Sequence, residues 1–207
     1  MTTSRFFDWF QIAALGCLAS LGIGRAIVLY TRGIRIVVID WERTALEKLA
    51  DLLLVILLLS WAYETVAWAW PLRNHILAAP LSTVRIDVVG LKVAGVVVVL
   101  AGLVIFALSL WAFADSWRIG IDRERPGALM TNGIFAWTRN PIYIALDSIV
   151  LGTFLVSGRV IFLAIALALV GLLHYEIRRE EKYLAETYGD AYRDYCERVG
   201  RYVRRSG

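Results

Sequence analysis

The sequence predicts an all-α integral membrane protein with about five transmembrane helices, the last two forming a hairpin, and a C-terminal helix on the cytosolic side. The first observation is composition: of 207 residues, 59% are hydrophobic and 12% aromatic, which is above the usual range for a soluble domain. The second is that the apolar residues fall in long runs separated by polar connections. Together these observations favour a membrane class.

Five apolar runs are candidates for crossing a hydrocarbon core about 30 Å thick, which requires roughly 20 helical residues. They lie at 9–30, 49–70, 88–114, 141–157 and 160–177. Only Ser157–Arg159 separates the last two, and so short a connection predicts an antiparallel helical hairpin. We expect one membrane domain over 1–207, with N-terminal helices in 1–87 and a second half in 88–207.

The basic residues predict the orientation of the chain. If the N-terminus lies outside, most of the 22 Lys and Arg residues fall in the inner connections and the tail. The exceptions on the outer side are Arg5, Arg73, Arg85, Lys92 and Arg159. Because cytoplasmic connections are rich in Lys and Arg, this bias predicts an outside N-terminus and a cytoplasmic C-terminus. The net charge of +4 then reflects topology, and we expect no nucleic-acid partner.

Two longer polar segments lie on the predicted inner side. One is the connection Asp115–Asn140, which contains the breakers Pro126, Gly127 and Gly133. The other is the tail from His174, where charged residues alternate with apolar ones at helical spacing until Gly189. Any site for a soluble cofactor should be built from these segments. We expect no metal site and no disulfide, since Cys17 lies in the first run and Cys196 in the tail.

The stretch Thr138–Asp147, "TRNPIYIALD", stands at the entrance of the fourth run. Pro141 suits the first turn of a helix, where its missing N–H is not needed. Taken alone, the stretch is typical of a helix that enters the membrane, with Arg139 at the level of the lipid phosphates and Tyr143 among the aromatic residues of the membrane interface. Taken alone, Glu180 and Glu181 are typical of a solvent-exposed helix face, where they would pair with neighbouring basic residues. The hairpin, however, returns these glutamates to the side of Arg139.

The two stretches together resemble a known superfamily. "GALMTNGIFAWTRNPIY", followed some forty residues later by "REEKYLAETYGDAYRDYCERVGRY", is similar to the isoprenylcysteine carboxyl methyltransferases and phospholipid methyltransferases, which are membrane enzymes. Their pattern has Arg-His/Asn-Pro-x-Tyr, then Glu-Glu-x-x-Leu, and a close of Tyr/Phe-Gly-x-x-Tyr. The resemblance covers about 116–203, so the predicted catalytic half is 88–207, and the first two helices carry none of it.

The resemblance implies an S-adenosylmethionine-dependent methyltransferase whose lipophilic acceptor arrives from the bilayer, among the membrane lipids. It implies a cofactor pocket that lies between the Asp115–Asn140 connection, the hairpin and the C-terminal tail helix, and the tail helix closes this pocket. The implied cofactor-binding residues are Leu129 and Met130 against the adenine, Asn140, Pro141 and Tyr143 along the cofactor, Glu180 at its polar end, and Phe135 and Glu181 beside them. Their chemistry agrees, because Glu180 suits an ammonium and the helix start at Pro141 offers N–H groups to a carboxylate.

Two residues are candidates for the acceptor side. Arg139 has a guanidinium fork that could hold a carboxylate or a phosphate in a fixed pose. Glu176 stands one turn before Glu180, where the prenylcysteine enzymes have an arginine that helps hold the substrate carboxylate. An acidic residue there suggests an amine or thiol acceptor that must first lose a proton. The alternative is that Glu176 pairs with Arg179 or Arg139. A second departure is Phe135, where the family often has tyrosine.

The sequence does not decide the roles of Asp147 and His174. Asp147 is an ionisable residue inside a predicted span, which makes it a candidate for function, but a structural partner such as Ser109 or Trp117 is an equal alternative. His174 is more typical of an interface hydrogen-bonder than of a base. Two rival functions also remain, namely an NADPH-dependent reductase of the sterol type and a catalytically silent scaffold of the same fold.

Overall fold

The computed structural model describes residues 3–34, 43–70, 86–113 and 127–203. Within these ranges the regular elements are helices: α1 (Thr3–Thr31), α2 (Ala45–Ala69), α3 (Val89–Ala112), a 3-10 turn (Gly133–Ala136), α4 (Pro141–Ser157), α5 (Val160–Tyr188) and α6 (Asp190–Arg198). The all-α membrane prediction is confirmed, because α1, α2, α3 and α5 are long and apolar enough to cross a membrane and α4 is a shorter apolar helix.

The predicted spans and the helices agree closely. The fourth run, 141–157, coincides with α4, whereas α1 begins before the predicted start at residue 9. The fifth run, 160–177, lies within α5, which continues through the charged segment to Tyr188 and ends at Gly189, as the helical spacing of the tail predicts; the φ of Gly189 is 54°. Pro126, Trp117, Arg73 and Arg85 lie outside the described residues, and the orientation in the membrane stays a prediction.

The predicted hairpin is present, and Gly158 makes its turn. Its φ is 69° in the left-handed region, and its N–H donates to the Phe154 carbonyl at 2.7 Å. The Ile86 N–H donates to the Gly158 carbonyl at 2.7 Å, and a Cβ atom on Gly158 would collide with the Ile86 backbone. Only glycine fits both the dihedral and the close approach. The turn therefore fixes where α5 starts relative to α4.

Glycines also bring α3 and α4 into close contact. A Cβ atom on Gly152 would lie 2.6 Å from Val99 Cγ2, and one on Gly95 would lie 2.8 Å from Leu155 Cβ. At Gly102 the nearest atom would be Ile149 Cγ1 at 2.8 Å. Small residues at such an interface let two apolar helices approach closely enough for dispersion contacts to hold them together.

The core lies where α3, α4 and α5 meet. Its fully buried side chains include Val99 of α3, Ile149 and Val150 of α4, and Phe162 and Leu169 of α5. Large apolar residues elsewhere stay exposed on the outer faces of the helices, for example Ile23, Ile27, Leu52, Leu59, Val97, Val104 and Leu167. Exposed apolar faces on this scale suit contact with lipid.

We predict that Gly152→Ala destabilises the protein by about 1–3 kcal/mol, because an added methyl group must push α3 away from α4. Thermal unfolding in detergent measures this as a lower midpoint. The matched control is Gly171→Ala in α5, where an added Cβ meets nothing within 4 Å and the helix should be slightly stabilised. Equal midpoints for the two variants would contradict the close contact.

Candidate cofactor site between α4 and α5

The first part of the site is a carboxylate and a phenol that face each other across the hairpin. Tyr143 stands in the first turn of α4, and its hydroxyl donates to Glu180 Oε2 at 3.0 Å. The two residues are 37 positions apart in the sequence. Among the described residues, the other carboxylate oxygen of Glu180 has no hydrogen-bond donor. The predicted proximity of Tyr143 and Glu180 is thus present, with one acceptor atom left over.

Asn140 and Pro141 begin α4 at the same end. Pro141 is buried at the first helical position. Asn140 precedes it, but its side chain does not cap the helix; it donates instead to the Arg201 carbonyl at 3.2 Å and to Glu181 Oε1 at 3.4 Å. The first N–H groups of α4 therefore lack a side-chain acceptor from Asn140, which is the condition for binding an anion at a helix start.

Glu181 joins three segments of the chain. Arg139 Nη2 lies 3.1 Å from its Oε1, and the Arg201 Nε and Nη2 atoms lie 2.9 Å and 2.6 Å from its Oε2. Its side chain is only 11% exposed. Both oxygens are occupied by guanidinium groups, so Glu181, unlike Glu180, lies in an ion-pair network that ties α5 to the α4 entrance and to the tail.

Arg139 is held from several sides. Its backbone N–H donates to the Gly200 carbonyl at 3.2 Å, and its Nη1 contacts the Tyr192 hydroxyl at 3.4 Å and the Cys196 sulfur. The Nε atom is buried and has no hydrogen-bond partner among the described residues. The structure thus places Arg139 against Glu181 and α6, with one donor atom unused.

The residues predicted against the adenine lie beside α6. Leu129 packs on the cluster formed by Tyr192, Tyr195 and Val199, and Met130 is half-buried. Phe135 is buried, meets Phe113 edge to face with ring centroids 4.7 Å apart, and receives a hydrogen bond on its carbonyl from the Tyr195 hydroxyl at 2.7 Å. These residues form an apolar wall next to the entrance of α4.

The two buried phenols of α6 stay protonated at neutral pH. Burial raises the pKa of Tyr195 to about 12, while the nearby Arg139 charge opposes that rise. Burial and the Glu181 carboxylate raise the pKa of Tyr192 above its usual range. Both side chains therefore act as neutral hydrogen-bonding groups in the wall, not as bases.

Glu176 forms an ion pair with Arg179, which the sequence analysis gave as one of its alternatives. Arg179 Nη2 lies 2.6 Å from its Oε2, and the same arginine contacts Asp51 of α2. The Glu176 Oε1 atom is buried without a hydrogen bond among the described residues. Glu176 is thus linked to α2 through Arg179, a connection that the sequence did not indicate.

Asp147 and His174 have different surroundings. Ser109 donates to the Ile105 carbonyl at 2.6 Å rather than to Asp147, and the Asp147 Oδ1 atom is buried without a partner among the described residues. His174 contacts the Tyr202 hydroxyl and accepts from Arg178 Nε at 3.1 Å. The reading of His174 as a hydrogen-bonder near the interface agrees with these contacts.

The sequence analysis missed the tail segment Gly200–Tyr202 as part of the site. The Thr138 hydroxyl donates to the Arg201 carbonyl at 3.0 Å, so the tail lies directly over the entrance of α4. The signal was present in "ERVGRY", where a basic and an aromatic residue follow the amphipathic α6 after a glycine. Nothing local in that stretch indicates which residues it covers.

Two comparisons with known proteins cover this part of the chain. The sequence model of the phospholipid methyltransferase family matches residues 91–191. A curated relative, the protein-S-isoprenylcysteine O-methyltransferase of Schizosaccharomyces pombe, is 33% identical over 82 residues. The superfamily resemblance is confirmed. The phospholipid methyltransferase match runs from α3 through the hairpin into α6 and includes Arg139, Tyr143 and Glu180.

The comparisons leave parts of both proteins uncovered. The aligned residues are 39% of this chain and 35% of the yeast methyltransferase, so the match spans about a third of that relative's length. The first two helices and the tail segment Gly200–Tyr202 lie outside the phospholipid methyltransferase match. Contacts that these parts make with the site are therefore features of this structure and not of the matched segment.

We predict that Glu181→Gln loosens the tail. Removing the charge that pairs with Arg139 and Arg201 should cost about 1–3 kcal/mol, and a loss of about 1.4 kcal/mol would raise the detached population about tenfold. Limited trypsin digestion after Arg198 and Arg201 measures the change as faster cleavage. Asp190→Asn, which breaks the exposed pair with Arg193, is the control and should be near neutral. If Glu181→Gln and Asp190→Asn were cleaved at equal rates, Glu181 would not be the residue that holds the tail.

Proposed function

We propose that this protein is a membrane methyltransferase that uses S-adenosylmethionine and transfers a methyl group to a lipophilic acceptor. The observation that supports this most is the Tyr143–Glu180 pair, 3.0 Å apart, inside the segment that the phospholipid methyltransferase family matches. Within this proposal the protein is an enzyme of the bilayer, with the cofactor reaching the α4 entrance from the cytosol.

The polar groups fit the charged end of the proposed cofactor. S-adenosylmethionine carries an ammonium and a carboxylate on one carbon atom. The unbonded oxygen of Glu180 is a charge-assisted acceptor for the ammonium. The free N–H groups at the start of α4, beyond Pro141, are donors for the carboxylate. Tyr143 orients Glu180 by occupying its other oxygen.

The apolar residues fit the other end. Leu129, Met130 and Phe135 supply an apolar wall for the adenine, and Asn140 and Pro141 stand between that wall and Glu180. Glu181 supports the pocket by holding Arg139 and the tail in place. An apolar pocket with a few convergent polar groups is typical of cofactor sites.

Bound S-adenosylmethionine supplies an electrophilic methyl group on a sulfonium. The protein's own contribution is alignment and the exclusion of water, since a displacement of this type gains most from a fixed approach of the two reacting atoms. The tail over the α4 entrance and the apolar wall both limit access of water. A lipophilic acceptor would approach from the exposed apolar faces of the helices.

Arg139 and Glu176 remain the proposed acceptor-side residues. In Arg139 the Nε atom is the unused donor, so a carboxylate or phosphate oxygen of the acceptor would bind there. In Glu176 the Oε1 atom is unused while Oε2 is paired with Arg179, so Oε1 is the atom left to take a proton from an amine or thiol. Whether the methyl group goes to oxygen, nitrogen or sulfur depends on which of these two residues meets the acceptor.

We predict that Glu180→Gln weakens the binding of S-adenosylhomocysteine about 10- to 100-fold, because a charge-assisted hydrogen bond is worth about 1.5–3 kcal/mol. Titration calorimetry on the purified full-length protein measures this. Glu186→Gln, an exposed position on the same helix, is the control and should bind as the wild type does. Binding of NADPH instead would favour the reductase, and binding of neither cofactor would favour the scaffold.

We predict that Arg139→Lys lowers methyl transfer about tenfold or more while S-adenosylhomocysteine binding changes little, because lysine keeps the charge near Glu181 but lacks the Nε–H group proposed to bind the acceptor. The assay supplies S-adenosylmethionine with a deuterated methyl group to protein in a total lipid extract of the expressing cells. Mass spectrometry then identifies the labelled lipids. Unchanged labelling in the variant would remove Arg139 from the acceptor side.

A further inference from the structure

An ion network at the start of α2 lies beside the candidate site. Asp51 of α2 receives Arg179 Nη1 and Nη2 of α5 on its Oδ1 at 3.2 Å and 3.3 Å. Its Oδ2 contacts Arg43, which precedes α2. Arg179 also pairs with Glu176 at 2.6 Å. The network therefore alternates in charge from Arg43 through Asp51 and Arg179 to Glu176.

Burial makes this network sensitive to the loss of one charge. The side chains of Arg43, Arg179 and Glu176 are only 14%, 15% and 12% exposed, and that of Asp51 is 32% exposed. Two cations and two anions balance one another. Without Asp51, Glu176 and Glu47 still act on the two guanidinium groups, and Glu47 already accepts the Thr44 N–H and hydroxyl at the start of α2. Removing one partner of a buried network leaves an uncompensated charge that must find another counterion.

Glu180 is the carboxylate placed to become that counterion. It follows Arg179 directly in α5, and the charge of Arg179 already acts on it. Its one hydrogen bond from a described residue comes from Tyr143, on Oε2. If Arg179 no longer pairs with Asp51, its guanidinium would therefore compete with the cofactor's ammonium for the free oxygen of Glu180.

We infer that Asp51 is a positioning residue that holds Arg179 on the α2 side and so keeps Glu180 available to the cofactor. The inference rests on the proposed function. It also gives the first two helices a role in the site, since α2 lies outside the segment that the family matches, residues 91–191. Asp51 contacts Arg179 and Arg43, not Glu180, so its effect on the cofactor passes through Arg179.

The test compares four full-length proteins by calorimetry with S-adenosylhomocysteine: wild type, Asp51→Asn, Arg179→Gln and the double variant. We expect Asp51→Asn to bind about tenfold more weakly, which corresponds to about 1.4 kcal/mol. The double variant should recover to within about threefold of the wild type, because the competing guanidinium is gone; coupling of this size is usual for residues in one network. Glu186→Gln serves as the exposed control on α5.

Kinetics separate positioning from general damage. In Asp51→Asn the KM for S-adenosylmethionine should rise about tenfold while kcat at saturating cofactor stays within about twofold, and Asp51→Glu should restore part of the loss. A merely structural role would lower the thermal midpoint and leave the double variant no better than Asp51→Asn. That result would overturn the inference.

The outcomes also distinguish this inference from the proposed function. If the wild type binds no S-adenosylhomocysteine, the proposed function fails. If the wild type binds and Asp51→Asn binds equally well, only the role of Asp51 fails. If Asp51→Asn does not fold, the comparison is between Arg179→Gln and the double variant, which should bind equally because Asp51 acts only through Arg179. Unequal binding would contradict the inference.

Discussion

The register of the α4–α5 hairpin is the constraint on which the rest of the site depends. A two-residue connection, Gly158–Arg159, leaves almost no freedom in how the two helices align, and Gly158 is fixed by a left-handed dihedral and by the Ile86 backbone. The alignment sets Tyr143 opposite Glu180, 37 residues away, and Asn140 opposite Glu181, 41 residues away. A slip by one residue would rotate these glutamates off the shared face.

Charged groups at this membrane-proximal end survive burial because they are paired. Glu181 is paired with Arg139 and Arg201, and Glu176 is paired with Arg179. Between these two networks, Glu180 has a neutral phenol as its partner. A buried carboxylate without a guanidinium is costly, which is why we assign Glu180, and not its neighbours, to a cationic ligand.

Much of the fold could be predicted because helix formation in a membrane follows from hydrophobicity and length, which are local properties of the sequence. The bounds of α4, the hairpin at Gly158 and the break at Gly189 are of this kind. The continuation of α5 past residue 177 to Gly189 is also of this kind, since the charged segment keeps its helical spacing outside the apolar run. The packing of α3 on α4 through Gly95, Gly102 and Gly152 required coordinates, because a close approach involves two helices.

The sequence by itself determined the membrane class, the helical hairpin and the grouping of Asn140, Tyr143, Glu180 and Glu181 at one end of it. The tertiary structure decided how these residues differ. It separated Glu181, saturated by two arginines, from Glu180, which keeps a free oxygen. It also brought in Asp51 and Arg201, from α2 and the tail. The physical reason is that ion pairs depend on distances between segments remote in sequence, and no local pattern of residues encodes those distances.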